Sequence, residues 1–145
     1  MKKYLILVLI LLSNFAYSQV NLCQEGYDEA TKTFEEGVAS LQKGLSQNRQ
    51  INYEFSEDRG GFGANYSKVC FEMYPIVNQS LNDAIQSFLA SLDILEDTAK
   101  YCNHAAQGQL EKFFNQITEV GKYAVNEDNL SKQQQVIRCT GVKSE

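Results

Sequence analysis

Histidine is all but missing from this chain: His104 is the single one among 145 residues. One imidazole cannot build a metal site, and the Glu-x-x-His pairs of carboxylate di-iron bundles do not occur. The four cysteines, Cys23, Cys70, Cys102 and Cys139, include no Cys-x-x-Cys pair. That removes the zinc-ribbon, thioredoxin-like and c-type haem signatures together, so neither a metal nor another cofactor is expected. Basic residues are outnumbered, 13 Lys and Arg against 18 Asp and Glu, with no basic cluster. Such a surface repels polyanions, which excludes nucleic acid and anionic membranes as expected partners. Repeats and low-complexity tracts are absent as well.

Catalytic patterns are equally scarce. Gly60, Gly61 and Gly63 precede Ser67 and Lys68, but a phosphate-binding loop needs its lysine directly after the last glycine and a buried strand before it. Cys102 and His104 are two residues apart, so on a helix they face different ways. The adjacent acids Glu35 with Glu36, and Glu57 with Asp58, read as solvated faces rather than as carboxyls held in contrasting environments. The expectation is a protein that is not an enzyme.

What is present begins with an address. Lys2 and Lys3 precede the apolar run Tyr4 to Leu12, and Ala16, Tyr17 and Ser18 put small residues where a signal peptidase reads. The run is about half the roughly 20 residues of a spanning helix, so residues 1–18 read as a signal peptide and not as an anchor. The expected mature chain, 19–145, starts at Gln19, is secreted or periplasmic, and contains no membrane span. It loses two basic residues, leaving 11 against 18 acids and a formal charge of −7. Its 127 residues suit one domain that builds its own core.

An exported chain with an even cysteine count is expected to hold disulfides. In an up-and-down order the first helix starts where the 80–101 helix finishes, which brings Cys23 to Cys102 and leaves Cys70 for Cys139. The alternative, Cys23 with Cys70 and Cys102 with Cys139, follows if the segment around Pro75 folds back.

The rest of the pattern is helical. Tyr27, Phe34 and Leu41 recur seven apart with Val38 and Leu45, and Ala30, Gly37 and Gly44 form a parallel row of small residues. Residues 80–106 repeat that grammar: Leu81, Phe88, Leu95 and Cys102 in one row, Ile85, Leu92, Ala99 and Ala106 in a second, Ala84, Ser91 and Thr98 between. Small rows let helices approach closely. A further stripe follows Gly108 through Leu110, Phe113, Phe114, Ile117, Val120 and Ala124, and Asn126 reads as the cap of a last short helix. Residues 65–77 are helical too, with Pro75 expected to kink or end them. The fold expected is all-α, a small up-and-down bundle of four or five helices stapled by disulfides.

Residues 47–64 escape the pattern. They read as a long polar loop in which Ile51, Tyr53 and Phe55 alternate ahead of Arg59 and a glycine run around Phe62. Loops this long in a compact helical domain are functional or disordered. The expected role is therefore that of an exported interaction protein that presents Tyr53, Phe55, Arg59 and Phe62 to an extracellular or periplasmic macromolecule. The alternative is a carrier of a small apolar ligand held between the helices by Phe88, Phe113, Phe114 and Ile117. Asn65, Asn78 and Asn129 each begin an Asn-x-Ser triplet, which matters only in a glycosylating source.

Overall fold

The computed structural model describes residues 2–55 and 65–140, with side chains from residue 21 onward. They form α1 (Lys2–Glu54), a short α2 (Tyr66–Lys68), a π-helical turn (Val69–Met73), α3 (Tyr74–Ala99) and α4 (His104–Thr140). The architecture is all-α, and its three long helices run up, down and up. None of the described helices is long and apolar enough to cross a membrane.

The row of small residues on α1 does the job its spacing predicts. A methyl group on Gly37 would lie 2.6 Å from the Phe88 ring, and one on Gly26 would collide with the Thr98 side chain. Only glycine allows the two backbones to come this close. The matching row on α3 contributes a polar stitch, since the buried Ser91 hydroxyl donates to the Ala30 carbonyl at 2.7 Å. Gly26 opposite Thr98 and Gly44 opposite Leu81 fix α1 and α3 as antiparallel.

Helix α4 packs on α3 in the same antiparallel sense, with Gly121 facing Phe88 and Asn78 donating to Gln135 at 2.8 Å. Rings join all three helices. Phe34 lies 5.6 Å from Phe88 and 5.4 Å from Phe113, edge-on to the latter, and Tyr27 lies 5.3 Å from Phe113. Such offset and edge arrangements are the favourable ones for aromatic pairs.

Disulfides link Cys23 to Cys102 and Cys70 to Cys139, the first of the two arrangements weighed from the sequence. They close loops spanning 79 and 69 residues. By the chain-entropy argument each contributes about 4 kcal/mol. Two such bonds suit an oxidising, extracellular-type compartment.

Three expectations need correction. The helix count is lower than four or five, because two supposed boundaries are interior. Gly108 lies inside α4 with nothing within 4 Å of the place a side chain would occupy, so its cost is only that of propensity. Asn126 caps nothing, since the buried stripe runs on through Ala124, Asp128 and Ser131. The helix start lies instead at Asn103, whose side chain accepts from the Ala106 N–H at 2.9 Å.

Pro75 does not end its helix. It sits in the first turn of α3, directly after the π turn, where its missing N–H matters least. The third correction concerns the 47–64 loop, whose first part is helix. Gly44, Asn48 and Ile51 are buried and Phe55 packs on the core, a spacing of three and four that extends α1 to Glu54. A buried asparagine in the middle of the stripe hid that period. Arg59 and Phe62, with the rest of 56–64, lie outside the described residues.

Candidate functional site

The C-terminal ends of α1 and α4 meet the start of α3 at one end of the bundle. Arg138 organises it. Its guanidinium lies 4.4 Å over the Phe55 ring, and its Nη1 donates to Asn52 Oδ1 at 2.6 Å and to the Tyr74 hydroxyl at 3.3 Å. A planar, always-charged group can stack and donate in this way at once. Tyr74 is fully buried. Burial pushes its phenol above the ordinary 10.0, and Arg138 offsets part of that rise.

The same end is tied down three more times. Cys70 is bonded to Cys139, the Tyr66 hydroxyl donates to the Cys139 carbonyl, and Asn65 Nδ2 donates to Glu54 Oε2 at 3.0 Å. The last bond brings together the two sides from which residues 56–64 depart. On this fixed frame two aromatic side chains stand in solvent, Tyr53 at 87% and Phe71 at 72% exposure, with Val136 and Ile137 half-exposed on α4.

Of the four residues singled out for recognition, Tyr53 is on the surface. Phe55 instead lies half-buried under Arg138 and against the core. Arg59 and Phe62 are outside the described residues. Phe71 was missed. Its signal was available, because Val69, Cys70, Met73, Tyr74 and Val77 make a stripe that leaves Phe71 off it, four residues before the only proline.

A second surface lies along α3 and α4. One stretch of groove, about 560 Å³, is walled by Leu95, Ala99, Leu110 and Phe114 with Glu96 and Glu111. Its neighbour, about 340 Å³, is walled by Ile85, Leu89, Leu92, Ile117 and Val125 with Lys122. The four residues suggested as a ligand site are divided. Phe88 and Ile117 line the second stretch, Phe114 lines the first, and Phe113 is buried against Tyr27 and Phe34.

Two further polar clusters reach into the interior. Asn78 donates to Gln135 and accepts from the Ser131 hydroxyl at 2.9 Å, which occupies the side-chain nitrogen that a sugar would need. Asp128 is 7% exposed and takes Lys132 at 2.6 Å through one oxygen, while its other oxygen is buried without a partner. His104 is exposed at the first turn of α4, and Cys102 is held in a disulfide. Among the described residues no cluster of three His, Cys, Asp or Glu side chains is arranged to hold a metal ion.

Comparison with family models, curated proteins and solved structures yields no match to this chain. The functional reading therefore rests on its own geometry.

Proposed function

We propose that residues 1–18 export this chain and that the mature protein is a non-enzymatic binding protein, which engages an extracellular or periplasmic macromolecule with the Cys70–Cys139 end of the bundle. The observation that carries the reading is the exposure of Tyr53 and Phe71 on a frame held by a disulfide, a cation–π contact and three hydrogen bonds. Aromatic side chains anchor interfaces because they bury a large area while losing little rotamer freedom. A frame already rigid before contact spends less binding energy on ordering. Phe71 also stands in a π turn, a rare local structure that recurs at functional sites. Arg59 and Phe62, expected from the sequence to share in recognition, lie outside the described residues.

The test replaces Tyr53 and Phe71 with serine together and uses the tagged, oxidised chain as bait in the exported fluid of its own cell. Both rings are exposed, so stability should move by no more than about 0.5 kcal/mol. Capture of the partner should fall by about 30-fold or more, since truncating one true anchor costs about 2 kcal/mol. Undiminished capture by the double variant would sink the reading.

A further inference from the structure

We propose that the groove along α3 and α4 is a self-association face, on which two copies of this chain pair about a two-fold axis. The groove lies on α3 and α4 alone among the described residues, since α1 packs on α3 through Gly26, Gly37 and Gly44. It is apolar where a monomer has no need to be: Leu89, Phe114 and Val125 are each between 41% and 51% exposed. A site for a small apolar molecule buries most of its ligand, and side chains this open do not enclose one. An elongated apolar surface matches another elongated surface.

Charge selects the second copy. The stretch nearer the α3–α4 connection carries Glu96 and Glu111, and the stretch farther from it carries Lys122. A two-fold axis through the middle of the groove exchanges the two stretches, so Glu96 and Glu111 of each copy face Lys122 of the other. Such self-complementarity is what an isologous interface requires. Lys122 is free to be re-paired, because its bond to Glu119 at 2.8 Å joins two largely solvent-exposed groups on one helix, and exposed pairs of that kind are weak.

The size is sufficient. From Gln107 to Val125 the face is about 27 Å long at 1.5 Å per residue, and two helices side by side make it about 20 Å wide. That is about 540 Å² on each copy, or about 1,100 Å² in all, just above the roughly 1,000 Å² expected of a specific interface. A weak, concentration-dependent dimer follows. Tyr53 and Phe71 lie outside this groove, so recognition at the disulfide end and pairing here fail independently.

Sedimentation equilibrium of the oxidised chain, as recovered from the secreting cell, should show mass doubling between about 1 and 100 μM, the weak-affinity range. Leu89→Asp should raise the dimer dissociation constant at least tenfold, and Val125→Glu supplies the same test should the first variant fail to fold by circular dichroism. Lys122→Glu alone should weaken the dimer, and Lys122→Glu combined with Glu96→Lys and Glu111→Lys should restore it. A monomer throughout the range, a dimer indifferent to the aspartate, or a triple variant no tighter than Lys122→Glu alone would each overturn the proposal. So would uptake of an apolar dye by a chain that stays monomeric.

Discussion

The two halves of this bundle are closed by different means. Toward Cys23–Cys102 the interior is mainly rings and aliphatic side chains, with Tyr27 and Phe34 each against Phe113 and Leu95 and Leu110 buried beside them, and its buried hydroxyls, Ser91 and Thr98, both donate to backbone carbonyls. Toward Cys70–Cys139 amide and carboxyl groups join a core of Ile51, Val69, Tyr74 and Val77: Asn48, Asp128 and Ser131 are buried, and Asn78 links Ser131 to Gln135. Apolar burial stabilises through area, without regard to direction. A buried polar layer gives little net stability and costs more when any member lacks its partner. Asn48 Oδ1, Asp128 Oδ1 and Gln134 Oε1 are buried without one. The polar half thus has the greater need of its staple, and the Arg138 contacts with Phe55, Asn52 and Tyr74 cap it from outside.

Removing each disulfide in turn is the strongest way to break that comparison. The two loops are nearly equal in span, 79 and 69 residues, so chain entropy predicts almost equal global losses of about 4 kcal/mol each. What should differ is where the molecule opens. Cys70→Ser with Cys139→Ser should speed amide exchange through Val69–Met73 and the last turns of α1 and α4, because the buried polar groups of that half, Asn48, Asp128 and Gln134, are incompletely hydrogen-bonded. Cys23→Ser with Cys102→Ser should leave the aromatic layer protected. Equal local exchange in both variants, read by mass spectrometry, would show that the halves do not differ in this way.

A smaller effect probes the contact between α1 and α3. Gly37→Ala improves helix propensity by up to about 1 kcal/mol, but its methyl would meet the Phe88 ring at 2.6 Å. That ring is wedged against Phe34, so it has little room to yield, and overpacking costs about 1 to 3 kcal/mol. The net expectation is a loss of about 1 kcal/mol in chemical denaturation, and a gain would mean that the helices are less tightly apposed.

The same residues show how much could be read in advance. The all-α class and the small rows follow from period and spacing, because Phe34, Phe88 and Phe113 sit on regular stripes that only a helix can align, whereas the cysteines allowed two pairings. Boundaries were harder. Pattern reading treats glycine, asparagine and proline as punctuation, whereas Gly108 faces solvent, Asn126 interrupts nothing, and Pro75 follows a π turn that no periodicity announces. Asn48 misled most, since a buried polar residue in a core stripe looks like the start of a loop. The exposed pair Tyr53 and Phe71 was half legible: Tyr53 stood out among polar neighbours, and Phe71 was hidden in an apolar stretch. The groove was invisible, because Leu89 and Val125 differ from core residues only in which way their helices are turned.

The finest test separates the halves by pH. Tyr74 is buried in the polar half, and burial holds its phenol above the ordinary 10.0, with Arg138 opposing. A raised value in the folded state means that the unfolded chain releases this proton first as pH rises. Its contribution to stability is therefore complete below about pH 10 and is lost progressively above it, until the folded phenol also ionises. Tyr74→Phe removes that proton. It also breaks a long 3.3 Å bond to Arg138, which retains Asn52 and Phe55 as partners, so the cost at neutral pH should be no more than about 1 kcal/mol. Denaturant midpoints measured between pH 8 and 11 should fall less steeply for Tyr74→Phe than for the unaltered chain, with the two curves converging at the alkaline end. Parallel curves would mean that Tyr74 is no better shielded than the exposed tyrosines, and that the cap formed by Arg138 and Phe55 does not exclude water from the polar half.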